Sequence, residues 1–347
     1  MVKKFKRLTE FSPSGGCGCK VSSSVLKKLL KPIKQTKSKK YKVSFNLSDD
    51  AAVYELEKNK NIVSTVDFFA PIVDEPLDFG KISATNAISD IYAMGGKPLF
   101  ALSILGIPRD NIKVEDIKKI LQGASETCAD ANIYIMGGHT IELNEPIFGL
   151  CVIGEINNGK IITNKNAKYD DIIILTKPLG VGIYSAALKK KLLLSHDYNE
   201  LIETTTLLNK PGNKLSELFT LNAMTDVTGF GLIGHLNEVC TASNVEATLY
   251  TKSIPKLENV DKYMKMNAIT GASKKNYNNF RDKVKYHSSV SSEMKSIICD
   301  PQTSGGLLIF APKKNSENIL MYLKRNGFRK ADVIGEIKKS NYKINVF

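Results

Sequence analysis

The residues best suited to chemistry lie together in one short glycine-rich segment, Gly15-Gly16-Cys17-Gly18-Cys19-Lys20. Glycine permits positive φ angles and lets the backbone approach a ligand closely. A neighbouring cation lowers the pKa of a thiol and favours the reactive thiolate. The ammonium of Lys20 could also contact a phosphate group as a compact positive charge. The segment therefore predicts a flexible loop that combines a soft nucleophile with a phosphate-binding cation.

Several aspartates occur where strands and helices would present them to a common site. They are Asp49 and Asp50 before an apolar run, Asp67 after a predicted strand, Asp90 on a predicted helix and Asp226 at the end of another strand. Carboxylate oxygens are preferred ligands of Mg²⁺, which also bridges phosphates. Because converging carboxylates repel one another, a bound cation would stabilise the set. For any single aspartate a helix cap or a turn is the better interpretation, so the magnesium prediction depends on the whole set.

Three glycine-containing turns could bind phosphate through their backbone N–H groups. They are Gly137-Gly138-His139-Thr140, Thr228-Gly229-Phe230-Gly231 and residues 300–306. The chain has neither a G-x4-G-K-[ST] motif nor a G-x-G-x-x-G between a strand and a helix. Use of ATP would therefore require a different architecture. His139 receives only a binding role, because a single loop histidine is more often a satisfied polar residue than a base.

The elements that must position these residues alternate between strands and helices. Apolar spacing predicts strands at 61–66, 99–105, 132–136, 147–156, 172–175, 245–250 and 307–310, and helices at 79–94, 117–128, 182–188, 199–208 and 315–325. The polar stretches 157–160 and 164–171 form the best domain boundary. Mixed elements on both sides of it, in a chain of 347 residues, predict two α/β or α+β domains.

Bulk composition is that of a globular protein, with 42% hydrophobic and 24% charged residues. The longest uncharged apolar run, 99–107, is far shorter than the ~20 residues of a membrane span. No apolar signal region follows the basic N-terminus, so we expect a cytoplasmic protein. The six cysteines do not suggest a disulfide framework or a zinc site, because Cys17 and Cys19 have no second close pair.

The net charge of +14 could attract nucleic acid, but the lysines are scattered and no aromatic residues alternate with them. A solvated lysine-rich surface is the better interpretation, and we expect no stable nucleic-acid binding. A basic RNA-binding protein is the alternative from another functional class. It predicts salt-sensitive RNA binding without ATP, and it leaves the aspartates unexplained.

Five segments together resemble one known family, the selenophosphate synthetases (selenide, water dikinases). They are Cys17-Gly18-Cys19-Lys20, residues 49–54 (DDAAVY), 85–98 (TNAISDIYAMGGKP), 223–231 (AMTDVTGFG) and 299–306 (CDPQTSGG). The resemblance implies the aminoimidazole-ribonucleotide-synthetase-like (PurM-like) fold with N- and C-terminal α/β domains. The expected units are an N-terminal segment at 1–45 with the glycine-rich loop, an ATP- and Mg²⁺-binding domain at 46–157 and a C-terminal domain at 168–347.

The resemblance also implies an activity and its partners. Enzymes of this family convert ATP, hydrogen selenide and water into selenophosphate, AMP and phosphate, and selenophosphate donates selenium to selenocysteine and to tRNA. They act as homodimers whose N-terminal sheets pack together, and a selenium-delivery protein is a further candidate partner. Rival members of the superfamily fit less well. A hydrogenase-maturation carbamoyl dehydratase would need a C-terminal cysteine, where this chain ends Asn345-Val346-Phe347, and thiamine-phosphate kinases give no reason for Cys17.

Site roles follow from the same resemblance, position by position. Cys17 and Lys20 match the catalytic positions, and Asp50, Asp90 and Asp226 match the Mg²⁺ ligands. The matching ATP contacts are Lys20, Leu47, Ser48, Asp49, Asp67, Asp90, Gly138, His139 and Thr140. Several Mg²⁺ ions and one lysine are a suitable set of partners for a triphosphate. We expect selenide to attack the γ-phosphorus under the closed loop, and water to attack the remaining ADP.

Overall fold

The computed structural model describes residues 6–12, 15–21, 23–33, 38–44, 48–108, 112–157 and 161–347. Within these residues two β-sheets, each accompanied by helices, follow one another along the chain. This arrangement confirms the predicted pair of α/β (α+β) domains. No helix in the described part of the chain combines the length and the apolar character that crossing a membrane requires.

The first sheet has six strands in the order β1-β2-β3-β6-β4-β5. Their bounds are β1 Tyr41–Val43, β2 Ala52–Glu57, β3 Lys60–Phe69, β4 Lys97–Pro108, β5 Ile135–Leu143 and β6 Ile147–Asn157. Strands β4 and β5 are parallel, whereas the other neighbouring pairs are antiparallel. The pairing of β3 with β6 runs without a break from Lys60 opposite Asn157 to Phe69 opposite Phe148.

The second sheet has seven strands in the order β10-β13-β9-β12-β7-β11-β8. They are β7 Asp171–Leu175, β8 Ala223–Asp226, β9 Ala247–Leu249, β10 Val284–Tyr286, β11 Leu307–Pro312, β12 Asp332–Ile337 and β13 Ile344–Val346. The helices of this domain are α4 Val181–Lys189, α5 Ser195–Thr206, α6 Pro211–Leu218, α7 Gly231–Ser243, α8 Val260–Lys265, α9 Gly271–Phe280, α10 Ser292–Ile298 and α11 Ser316–Arg325. Strand β8 at one edge ends at Asp226, as the sequence predicts.

Helix α2 (Pro76–Ala93) joins the two domains, because it contacts strands β3 and β6 of the first sheet and also α5, α6 and β8. Its neighbour α3 (Val114–Asp130) packs closely along it. A Cβ atom on Gly80 would lie 1.9 Å from the carbonyl oxygen of Ile120, so glycine is required where these helices touch. The central position of α2 explains why it is buried on nearly every side and carries polar residues inside the molecule.

Strand β3 separates a covered face of the first sheet from an open one. Val63, Thr65 and Phe69 are buried, whereas Val66 and Phe68 on the alternate positions are 55% and 47% exposed. This period-two alternation is the signature of a strand with one side packed. Asp67 lies on the packed side, where it faces α2. The strand therefore delivers Asp67 to the interior and leaves an apolar surface outside.

Candidate functional site

The centre of the site is a group of three carboxylates drawn from separate parts of the chain. Asp50 precedes β2, Asp90 lies on α2 and Asp226 ends β8, and each offers an oxygen within 4.8 Å of the others. Each carboxylate accepts one hydroxyl hydrogen bond. The donors are Thr65 to Asp90 at 2.5 Å, Thr225 to Asp50 at 2.8 Å and Ser89 to Asp226 at 2.6 Å. Both domains thus contribute to one acidic group, as the sequence predicts.

These carboxylates lack enough donors for their charge. Among the described residues Asp50 Oδ2 is buried and has no hydrogen-bond partner. Burial raises the pKa of Asp50, Asp90 and Asp226, and repulsion from the neighbouring carboxylates of the group raises those of Asp50 and Asp90 further. A hard divalent cation would supply the missing positive charge and use oxygen ligands of this kind. The residues therefore fit a divalent metal.

The glycine-rich loop lies closed against both domains. Its residues Gly16–Cys19 form one 3-10 turn, and the Gly16 N–H donates to the carbonyl of Ala70 at 2.8 Å. The Cys17 N–H donates to Thr303 Oγ1 at 3.1 Å. A Cβ atom on Gly229 would lie 2.2 Å from the Cys17 carbonyl oxygen, so the loop rests directly on that backbone. Glycines on both sides of the contact permit this close approach.

The thiol of Cys17 is buried and points at helix α2, where its Sγ lies 3.3 Å from Asn86 Oδ1. Burial raises the pKa of this thiol well above its ordinary value, Asp67 raises it further, and the opposing effect of Lys20 is smaller. Lys20 lowers the pKa of the thiol, as the sequence predicts, but in this closed arrangement burial and Asp67 outweigh it and the net shift is upward. Desolvation of a thiolate outweighs one nearby ammonium, and Cys17 is held as the neutral thiol.

Lys20 pairs with Asp67 beside the same thiol. Its Nζ lies 3.5 Å from Asp67 Oδ2, which also accepts a hydrogen bond from Asn86 Nδ2 at 2.7 Å. Burial opposes the ammonium charge, but Asp67 and the other nearby acidic groups outweigh it and raise the pKa of Lys20. Lys20 is thus a permanent cation at the edge of the acidic group. Lys20 could exchange this carboxylate partner for a phosphate.

A cavity of about 900 Å³ opens over these groups. Lys20, Asp67 and the three clustered aspartates line it, together with Ser48 and Asp49, which the sequence predicts as nucleotide contacts. Helix α1 (Ser23–Leu30) adds the apolar side chains of Leu26 and Leu30. Asp49 also accepts a hydrogen bond from the Asn164 N–H at 2.7 Å, which fixes the segment before β2. The cavity combines an acidic floor with an apolar wall, as a nucleotide site would.

One of the sequence predictions is contradicted, and another lies outside the described residues. Gly138, His139 and Thr140, predicted as a turn, lie within strand β5 and pair with β4, so the turn prediction is wrong. None of these three described residues lines the cavity over the aspartates. The Gly-Gly pair does not form a turn because Gly138, at φ 152°, lies against the Ser103 backbone of β4, with which β5 pairs. Leu47 lies outside the described residues.

Several polar residues that complete the site have no motif of their own. Asn86 is the clearest case, since its amide contacts Cys17, Asp67 and the Ser304 N–H at 2.7 Å. The only signal for it is its position one turn before Asp90 on α2. The hydroxyl donors to the aspartates lie one or two residues before an acidic residue in sequence, which is a signal too common to be selective. They are Thr65, Ser89 and Thr225.

The turn at residues 300–306 contacts the glycine-rich loop and helps to hold it closed. Thr303 binds the Cys17 N–H, and the carbonyl of Ser304 accepts a hydrogen bond from Lys177 Nζ at 2.8 Å. Lys177 is fully enclosed, and burial lowers the pKa of its amine to about 7. Ser304 has a φ of 54°, a conformation that side chains rarely adopt and that these contacts hold in place.

Comparisons with known proteins agree with this geometry. Residues 48–156 match the family model of the AIR synthase related protein, N-terminal domain, and residues 168–346 match that of its C-terminal domain. A protein of Dechloromonas aromatica (strain RCB) named selenide, water dikinase is 46% identical over 341 residues, which cover 98% of both chains. Its namesake from Pseudomonas straminea is 44% identical over 344 residues, covering 98% of this chain and 96% of that one. The chain belongs to the selenide, water dikinase family.

Several solved structures are similar to this chain in fold. The structure of AaThiL complexed with AMPPCP and TMP has a TM-score of 0.65 at 18% identity and covers 93% of this chain and 91% of its own. The HypE-HypF complex gives a TM-score of 0.67 at 20% identity, with 94% and 97% covered. At such identities these likenesses show a common fold alone. They confirm the aminoimidazole-ribonucleotide-synthetase-like architecture expected for a selenide, water dikinase.

Proposed function

We propose that this protein synthesises selenophosphate from ATP, hydrogen selenide and water, with release of AMP and phosphate. The observation that carries the proposal is the closure of the Cys17–Lys20 loop over an acidic group in which one Asp50 oxygen has no partner among the described residues. A phosphate-transfer site needs cations at the nucleotide and a nucleophile beside them. Here the lysine and the carboxylates line one cavity, and the buried thiol lies beside them against Asn86. Membership of the family supports the choice of selenide as the acceptor.

The acidic group would hold the nucleotide through Mg²⁺. Asp50, Asp90 and Asp226 are the proposed ligands, and the bound metal would neutralise charge on the phosphates. Lys20 would leave Asp67 to contact the transferred phosphate as a point charge. Ser48 and Asp49, which line the same cavity, are the proposed further nucleotide contacts. The wall from α1 would shield the nucleotide from water.

The proposed reaction has two phosphorus–oxygen cleavages. Selenide first attacks the γ-phosphorus, so that the selenium–phosphorus bond forms and ADP leaves. Water then attacks the β-phosphorus of that ADP and releases AMP and phosphate. Cys17 faces the first step as a buried neutral thiol, and we propose that it positions the selenium. The closed loop would exclude water until selenide has reacted.

We propose that the protein acts as a homodimer. The open face of the first sheet carries exposed apolar residues, among them Val66, Phe68 and Met136 at 72% exposure. An apolar sheet face of this kind favours packing against a second sheet. Gly138, His139 and Thr140 on β5 would then contact a nucleotide in the partner's cavity. Analytical ultracentrifugation at micromolar concentration tests the dimer, and a sedimentation coefficient of a monomer would contradict the proposal. A selenium-delivery protein stays a prediction.

Phosphorus NMR of a reaction with ATP, Mg²⁺ and selenide tests the function. The expected spectrum contains a phosphorus signal that requires selenide, together with AMP and phosphate. Cys17→Ser is expected to abolish both the signal and selenide-dependent AMP, while calorimetry still detects ATP binding. ADP as the sole nucleotide product would identify an ordinary kinase instead. Unchanged selenophosphate from the Cys17→Ser variant would remove the role given to Cys17.

A further inference from the structure

A chain of three polar side chains lies in the cavity wall next to the acidic group. His235 on α7 has its Nδ1 3.3 Å from Glu238 Oε2 and its Nε2 3.2 Å from Thr228 Oγ1. All three residues line the cavity, and His235 is buried with its ring tilted on Phe230 at 5.8 Å between centroids. The order carboxylate, imidazole, hydroxyl is the one that activates a hydroxyl or a water in hydrolytic enzymes.

The partners of His235 fix its tautomer. Because Glu238 offers a carboxylate oxygen, Nδ1 must carry the hydrogen that this oxygen accepts. In the neutral imidazole Nε2 is then the unprotonated nitrogen, placed to accept a hydrogen bond from the Thr228 hydroxyl. Glu238 lies one helical turn after His235 on α7, so the helix itself holds the pair in register. The imidazole is therefore presented as a base behind Thr228.

The backbone of Thr228 is held in place beside the acidic group. It follows Asp226 by two residues, and its carbonyl accepts hydrogen bonds from the N–H groups of Gly231 and Gln302, both at 3.0 Å. With the backbone held on both sides, the hydroxyl has a defined position in the cavity wall. A water between Thr228 and a phosphate bound at the acidic group would have the His235 base one hydroxyl away.

The two steps of the proposed function differ in what they require from the protein. Selenide is already an anion and a strong nucleophile, so its attack needs little base catalysis. Water is neutral, and its attack on ADP leaves a proton that must go to a base. Asp50, Asp90 and Asp226 would be occupied with the cation. The chain from Thr228 to Glu238 is free of that task, and it is placed where the second step would occur.

We propose that His235 is the proton acceptor of the second, hydrolytic step, acting through the hydroxyl of Thr228. The water oxygen bonds to the β-phosphorus of ADP while the bond from that phosphorus to the bridging oxygen breaks and AMP leaves. Thr228 Oγ1 takes the proton from water as it gives its own to His235 Nε2. Glu238 is a positioning residue that stabilises the resulting imidazolium, which later releases the proton to solvent. This inference rests on the proposed function.

Single-turnover quenched-flow analysis of selenophosphate, ADP and AMP tests it in the full-length protein. In His235→Asn we expect selenophosphate to form at close to the wild-type rate while ADP accumulates and AMP formation falls about 100-fold. Glu238→Gln, whose amide oxygen can still accept from Nδ1, should slow the AMP step about tenfold and leave the first step unchanged. His196→Asn is the matched control, because His196 is 63% exposed and pairs with Asp197. It should keep the wild-type products.

The outcomes separate this inference from the function on which it rests. A parallel loss of selenophosphate and AMP in both His235→Asn and Glu238→Gln would indicate a structural network and overturn the inference alone. Unchanged AMP formation in His235→Asn would overturn it as well. If His235→Asn does not fold, the product ratio of Glu238→Gln decides. A wild-type protein that makes no selenophosphate would overturn the proposed function together with this step.

Discussion

Asp300 and the group of Asp50, Asp90 and Asp226 lie in two regions that differ in how the carboxylate oxygens are satisfied. Asp300 accepts hydrogen bonds from the backbone N–H groups of Gly182 at 2.9 Å and Ile183 at 3.2 Å, at the start of α4. Ser273 Oγ and Gln302 Nε2 add two more, each at 3.1 Å. Burial raises the pKa of Asp300 to about 7 even with these donors.

Each carboxylate in the group of Asp50, Asp90 and Asp226 has fewer hydrogen-bond donors than the single carboxylate of Asp300. Each has one hydroxyl partner, and within the described residues Asp50 Oδ2 has none. Burial and mutual repulsion raise the pKa values here too. The contrast teaches that a raised pKa alone does not mark a site. A carboxylate with its donors complete fits a role in the scaffold, whereas carboxylates that lack donors fit the binding of a cation.

Removing one carboxylate of the acidic group should have the largest effect. Asp50→Asn keeps the shape of the side chain but removes one anionic ligand, so we expect AMP formation to fall at least about 100-fold. The metal-free protein should unfold at the same or a higher temperature, because one buried repulsive charge is gone. Initial rates and thermal unfolding without metal check the two parts. Activity within threefold of wild type would contradict the assignment.

The same change at Asp300 should affect stability rather than chemistry. Because the pKa of Asp300 is raised from 3.8 to about 7 on folding, wild-type stability from this group falls as pH rises between those values. Asp300→Asn lacks that dependence. At about 1.4 kcal/mol per pKa unit, the loss of unfolding free energy in the variant, relative to wild type, should therefore be about 2–3 kcal/mol smaller at pH 8 than at pH 5.

Urea unfolding of both proteins at the two pH values measures these free energies. The group of Asp50, Asp90 and Asp226 is present in both proteins, so its own pH dependence cancels when the two unfolding free energies are subtracted. AMP formation by Asp300→Asn is expected to stay within a few-fold of wild type. A difference in unfolding free energy that does not change with pH would count against the raised pKa. A loss of activity as deep as that of Asp50→Asn would erase the contrast between the two regions.

The loop that closes over the acidic group offers the test with the smallest expected effect. A Cβ atom at Gly229 would meet the Cys17 carbonyl at 2.2 Å, whereas one at Gly271 has open space within 4 Å. Gly229→Ala should hold the loop away and slow AMP formation about tenfold, with metal binding unchanged. Gly271→Ala is the control and should match wild type. Equal rates for the two variants would show that the closed loop position is not needed.

Sequence patterns were sufficient for elements and for residues with local signals. The helix around Asp90 and the strand that ends at Asp226 follow from apolar spacing, because burial imposes that spacing directly. The convergence of both aspartates with Asp50 follows only from the family resemblance and the fold. It brings together residues that are distant in sequence, with Asp226 more than a hundred positions beyond the other two, and no local pattern encodes this.

The failures have physical causes as well. The segment with Gly138 pairs as an edge strand, and strand pairing is decided by the neighbouring β4 rather than by its glycines. The pKa of the Cys17 thiol is raised because the closed loop buries it, and the sequence of the loop alone does not indicate that burial. His235 and Glu238 show a helical i, i+3 spacing, but their partner Thr228 lies before the helix begins. Only the folded chain joins them.

Binding of Mn²⁺, as a paramagnetic substitute for Mg²⁺, tests the central claim most directly. Electron paramagnetic resonance would count free Mn²⁺ during titration of three proteins with a non-hydrolysable ATP analogue present. The account predicts that wild type and Asp300→Asn bind Mn²⁺ with the same affinity, and that Asp50→Asn binds it at least about tenfold more weakly. Equal Mn²⁺ affinity in all three proteins would contradict the account.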